Sequence, residues 1–237
     1  DINSGQDASL SIQKAQSDIA DAMKLGNNSA SIYEAKSITH LWKCISLLSD
    51  FNPLGGKQEA LLELDRSIDA CSEALNLRTR APELAQTLAM RGTLRSIKGI
   101  YGFFLGRGEE CIRMMKGASD DFGRAGKLVK AYRIYDNDAF DSIRRAMKLQ
   151  LEKKDPTAEY RRAREGLTRL LTGKLPNDKN AFVIRSFCRL YRGFANFYLD
   201  LWEEAIEDWT TLIERVPPFK SFLEMWIKQA RKKIENR

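Results

Sequence analysis

An all-α fold is what this sequence predicts, on three observations. Apolar residues recur at three- and four-residue intervals through most of the chain, and no long β-branched run interrupts them. Only six prolines occur, two of them adjacent at Pro217 and Pro218. Within residues 191–217 an apolar helical pattern breaks near Asp200 and Leu201, resumes, and stops at those prolines. That is a helix–turn–helix hairpin of repeat-protein proportions. With 237 residues, 43% hydrophobic and 30% charged, the chain can bury a core and is not wholesale disordered. It reads as a single helical-repeat domain over 8–237 behind a flexible 1–7.

The elements follow in order. Leu10, Ile12, Ala15, Ile19, Ala22 and Met23 mark a weak amphipathic helix over 9–25, stopped by Gly26 and Asn27. Residues 31–49 carry a cleaner stripe of Ile32, Ala35, Ile38, Leu41, Trp42, Ile45 and Leu48. Asn-Pro and Gly-Gly make 50–56 the strongest turn signal in the chain. A third helix over 57–77 buries Ala60, Leu61, Leu64, Ile68, Cys71 and Leu75. The fourth opens at Ala81 and Pro82, where proline suits a first turn and Glu83 complements the helix dipole. It carries Leu84, Leu88, Gly92 and Ile97.

From Glu109 the stripe Ile112, Met115, Ala118, Phe122, Ala125, Val129 and Tyr132 predicts a fifth helix, interrupted at 136–138. Phe140, Ile143, Met147 and Leu151 give a sixth. Pro156 opens a seventh with Tyr160, Ala163, Leu167, Leu170 and Leu171, closed by Gly173. After a polar connection over 174–180 comes the hairpin, its first helix over 181–199. A last helix over 219–236 sets Phe219, Phe222, Leu223, Trp226, Ile227, Ala230 and Ile234 against Lys220, Lys228, Arg231, Lys232 and Lys233. One apolar and one charged face suit the end of a stacked array, which has a neighbour on one side only.

Net charge is +7, and the positive excess is concentrated between residues 101 and 200. Opposite charges are interleaved there, so solvated helix faces compete with an acidic or nucleic-acid partner as the explanation. Four cysteines at 44, 71, 111 and 188 lack CxxC spacing and point to free thiols in a reducing, cytoplasmic or nuclear compartment. The longest uncharged apolar run, 99–106, is too short to span a bilayer.

Gly193 in the first helix of the hairpin, Trp202, Glu203, Glu204 and Ala205 entering the second, Trp209 on its inner face and Pro217 closing it resemble one unit of the tetratricopeptide repeat (TPR) family. Ser67, Cys71 and Ala74 look like the close-approach positions of another second helix. Arg91-Gly92 repeats Arg192-Gly193, an internal-repeat signal. Gly193 and Ala205 stand 12 positions apart, as the family requires. After Gly92 the counterpart is Ala118, 26 positions on. The extra 14 residues equal about four helical turns, so both helices of that hairpin are expected to run two turns longer, meeting near 102–108. The best-matching units are 57–130 and 181–237. The resemblance implies an α-solenoid of antiparallel helix hairpins with a C-terminal capping helix, acting as a scaffold that binds another protein.

Catalysis has little support. His40 and Cys44 share a helix face and could offer two metal ligands, but no second pair has credible spacing. No metal or cofactor is expected. Gly55-Gly56-Lys57 lacks the hydroxyl residue and earlier glycine of a phosphate loop. The acid pairs Glu109-Glu110, Asp120-Asp121 and Glu203-Glu204 are expected at helix starts or on exposed faces. Binding surfaces are better supported. Arg185, Arg189, Arg192 and Asn196 form one polar stripe, and Arg91, Arg95 and Lys98 a matching one.

TPR domains that clamp acidic C-termini place Asn after the first-helix glycine and Lys three before it. Here those places hold Thr93 and Ala89, and Phe194 and Leu190. The family's concave positions in the last unit are Phe187, Leu190, Phe194 and Phe197, all apolar. They would anchor a hydrophobic partner segment, or be filled by another part of this chain, or simply pack in the core. The alternative function is RNA binding through 101–200, including Arg161, Arg162, Arg164 and Arg169.

Overall fold

The computed structural model describes residues 5–49, 56–129, 138–173, 179–216 and 219–237. Ten α-helices and no strand occur among them: α1 (Gly5–Lys24), α2 (Ala30–Ser49), α3 (Gly56–Leu77), α4 (Ala81–Phe104), α5 (Gly108–Leu128), α6 (Asp138–Leu151), α7 (Thr157–Thr172), α8 (Lys179–Tyr198), α9 (Trp202–Arg215) and α10 (Lys220–Glu235). The all-α class holds. Helix α1 opens at Gly5, inside the stretch expected to fray. The turn over 50–55, Tyr132 and the two adjacent prolines lie outside the described residues.

Each helix packs against the next along the chain, and α10 also approaches α2. Four helix ends close alike, through a single left-handed residue: Gly26 (φ +82°), Gly106 (φ +74°), Lys153 (φ +56°) and Asp200 (φ +61°). After each, an amide reaches back to the final turn, as Arg107 N–H does to Gly102 O (2.8 Å) and Leu201 N–H to Asn196 O (2.9 Å).

The hairpins differ in length as the glycine spacing predicts. Gly92 stands 12 residues before the end of α4 (104 − 92), but Gly193 only 5 before the end of α8 (198 − 193). Ala118 stands 10 residues into α5 (118 − 108) and Ala205 only 3 into α9 (205 − 202). Between the contact point and the connecting turn, each helix of the α4/α5 pair has gained seven residues, two turns, so its inner face is unchanged.

One large core runs from α4 to α10 around Tyr160, Tyr191 and Trp209; a smaller one joins α2, α3 and α4 through Cys44, Leu64, Cys71 and Leu94. Helix α10 closes the large core with aromatic rings. Trp226 meets Phe194 edge-on (5.5 Å between centroids) and Phe197 likewise (5.3 Å), while Phe222 reaches Tyr101 of α4 (6.1 Å). Among the described residues no helix is long and apolar enough to cross a membrane.

Candidate functional site

The arginine stripes are where sequence and structure meet most informatively. Gly193 lies against the Trp209 ring, where a Cβ would come within 2.7 Å of indole Cδ1 and overlap its nitrogen. Only glycine lets α8 and α9 approach so closely. The preceding residue, Arg192, donates through Nε and Nη2 to both oxygens of Asp208 (2.9 and 2.7 Å), the residue before Trp209. Its Nη1 donates to Thr168 of α7 (3.3 Å). One guanidinium therefore ties three helices. Asp208 is 1% exposed, and its hydrogen bonds hold Arg192 above the usual arginine range. Asn196, one turn on, donates to Asp208 (3.3 Å) and accepts from Arg164 (2.8 Å).

The α4/α5 hairpin repeats this tie with arginine, glycine and aspartate in the same roles. A Cβ on Gly92 would come within 2.8 Å of the Phe122 ring. Arg91 donates through Nε and Nη2 to Asp121 (2.9 and 2.6 Å) and through Nη1 to Ser72 of the preceding α3 (3.1 Å). Arg95, in the place of Asn196, also donates to Asp121 (2.8 Å). A looser version joins α6 to α7. Arg145, followed by buried Ala146, donates to Glu159 (2.9 Å), followed by buried Tyr160, and also to Asp141.

The chain matches no protein-family model and no curated protein.

Of the basic residues singled out from sequence, Arg91, Arg95 and Arg192 are thus spent on internal carboxylates. Lys98 is 4% exposed, between Asp65 of α3 (2.6 Å) and Glu110 of α5 (2.7 Å). Arg185 and Arg189 are half-buried; Arg189 Nη1 stands 3.8 Å from Asp208, and its buried Nε has no hydrogen-bond partner among the described residues. Leu190 and Phe194 are buried, and Phe187 and Phe197 pack against the same core, under α10 for Phe194 and Phe197. The expectation that Asp120 and Asp121 share an exposed face is corrected at Asp121, which is 1% exposed. Two guanidiniums compensate its charge, which is why burial is tolerated. Sequence reading also passed over Asp208, Ser72 and Thr168. The signal was present: in both hairpins the acid stands three residues after the small alanine, Ala118 or Ala205, and directly before an aromatic.

The His40 neighbourhood holds a second polar cluster. Glu63, fully buried, accepts from His40 Nδ1 (2.6 Å), Lys43 (2.9 Å) and Arg66 (2.6 Å). Burial pushes its carboxyl up, but the hydrogen bonds from Lys43 and His40 outweigh that and hold it below the glutamate range. All four cysteines are buried and free; burial lifts Cys71 to about 11 and Cys44, Cys111 and Cys188 to about 12. Such thiols are inert as nucleophiles at neutral pH. Among the described residues no group of three or more His, Cys, Asp or Glu side chains could hold a metal ion.

Proposed function

We propose that this chain is a non-catalytic protein-interaction module: an α-solenoid of TPR-like helix hairpins, capped by α10, that binds a segment of another protein in the cytoplasm or nucleus. The observation that carries the reading is the recurrence of one tie, basic residue plus small residue against acid plus aromatic, in hairpins of three lengths. Reusing a unit to position helices is how a curved binding surface is built. The inert thiols fit such a role.

The apolar face around Phe187, Leu190, Phe194 and Phe197 is covered in part by α10, so the chain itself occupies the candidate groove. The most exposed aliphatics lie toward the N-terminal end of the chain. Leu10, Leu25, Ile38, Leu62 and Leu77, 45–88% exposed, all lie in α1 to α3 or just beyond α1. We assign the partner's segment to that end. RNA binding is the second reading, favoured by Arg113, Lys116, Arg124 and Lys127, an exposed row on α5 with no ion pair among the described residues. Ile38→Asp with Leu62→Asp alters exposed side chains only, so an unchanged melt is expected. Loss of one specific protein from material captured on the wild type supports the interaction reading. Unchanged capture, or capture of RNA that weakens steeply with salt, overturns it.

A further inference from the structure

At three matched positions of two of the chain's own hairpins, arginine in α8/α9 stands where α4/α5 has leucine. Superposing the Arg-Gly and acid-aromatic pairs sets Arg185 opposite Leu84, Arg189 opposite Leu88 and Arg215 opposite Leu128. Leu88 is fully buried. Where one hairpin packs that leucine, the other holds a guanidinium with a buried, unpartnered Nε. Its nearest carboxylate, Asp208, is already taken by Arg192 and Asn196, and the 3.8 Å separation is too long for a hydrogen bond. Arg215 is exposed at the end of α9, and Arg185 lies one turn before Arg189 on α8. Neither has an ion pair among the described residues. Burial, with the charges of Arg215 and Arg192 adding to it and Asp208 and Glu207 opposing, holds Arg189 below the usual arginine range. Among the described residues, more positive charge thus gathers here than acids pair with.

We propose that Arg185, Arg189 and Arg215 receive a phosphoryl group carried by a phosphorylated serine or threonine of the partner protein. This rests on the interaction reading above and gives the partner a second contact, apart from the aliphatic one on α1 to α3. A single carboxylate would balance one of these cations, whereas a phosphomonoester carries nearly two negative charges and three acceptor oxygens for donors arriving from two helices. A nucleic-acid strand fits less well. Three arginines from two helices are too few to track a strand, and no aromatic side chain with described burial is exposed to stack a base.

The test follows arginine Nε–Hε resonances while methyl phosphate is added, against acetate and chloride at matched ionic strength. Expected is a saturable shift at Arg189 at pH 7.5, about tenfold weaker at pH 5, where the ester has lost its second charge. Arg189→Leu should fold as the wild type does, since Leu88 fills the equivalent place, and should abolish saturation. Arg215→Leu, a change at the surface, should weaken binding about tenfold with the melt unmoved. A linear shift, an equal response to acetate, or saturation retained in both variants overturns the site. So does a uridine oligonucleotide that displaces methyl phosphate and binds more tightly than a phosphoserine peptide. None of these results touches capture through Ile38 and Leu62, so failure of the phosphate site and failure of the scaffold remain separable.

Discussion

The α4/α5 and α8/α9 hairpins solve one packing problem with one set of residues, at different lengths and beside different neighbours. In α4/α5 the contact is Gly92 on Phe122, and the extra two turns of each helix add Gly99, where a Cβ would meet Met115 at 2.9 Å. In α8/α9 the contact is Gly193 on Trp209, with Phe194, Phe197 and Trp226 packed around the indole. Hairpin length is therefore free to vary in whole turns. What cannot vary is the point where backbone meets ring and the buried charge pair beside it. The shorter hairpin recovers through α10 the aromatic packing that its missing turns do not supply.

The largest effect expected from breaking this comparison comes from removing residues 219–237. Uncovering Phe194, Phe197 and Trp209 should abolish the cooperative melt and leave an insoluble or molten product; a truncated chain with an unchanged melt would refute the capping role of α10. Next come the buried acids. Asp121→Asn or Asp208→Asn leaves guanidiniums without their counter-ion and should each cost about 3–5 kcal/mol in urea unfolding. Equal costs would support one shared design, and a negligible cost in either would dissolve the equivalence.

The glycines sharpen the contrast. Gly193→Ala drives a Cβ into a ring boxed in by three others and should cost about 3 kcal/mol. Gly92→Ala meets the edge of a smaller ring and regains about 1 kcal/mol of helix propensity, so its net cost should be about 1 kcal/mol. The α2/α3 hairpin, which uses Glu63 in place of this tie, should differ in pH dependence. Its carboxyl is depressed on folding, so its contribution is present above about pH 4.5 and lost as pH falls through the folded value. Glu63→Gln should flatten the acid limb of stability against pH; an unaltered limb would exclude Glu63 as its source. Smallest is the turn. Gly106 and Asp200 hold the same left-handed position, so Asp200→Gly should gain roughly 0.5 kcal/mol, and Gly106→Asp should lose a similar amount.

Much of this was legible along the chain. Periodicity located the ten helices, because a helix face buried on one side needs apolar residues every three or four positions whatever it packs against. The Arg-Gly pairs and the 14-residue difference between hairpins disclosed a repeated unit and its added turns, since whole turns keep a face in register. The destiny of the arginines was not legible. Arg91 and Arg189 look alike in sequence, and only the approach of α5 and α9 shows that one makes a two-pronged bond to a buried acid and the other stands 3.8 Å from one already taken.

Local chemistry and helical period, both properties of neighbouring residues, were enough to determine the class, the elements and the unit. Which charges are consumed inside, which aromatic face α10 covers, and which arginines stand over depend on residues from 14 to 121 positions apart meeting in space. Such meetings are set by how helices pack, and only the folded chain decides them.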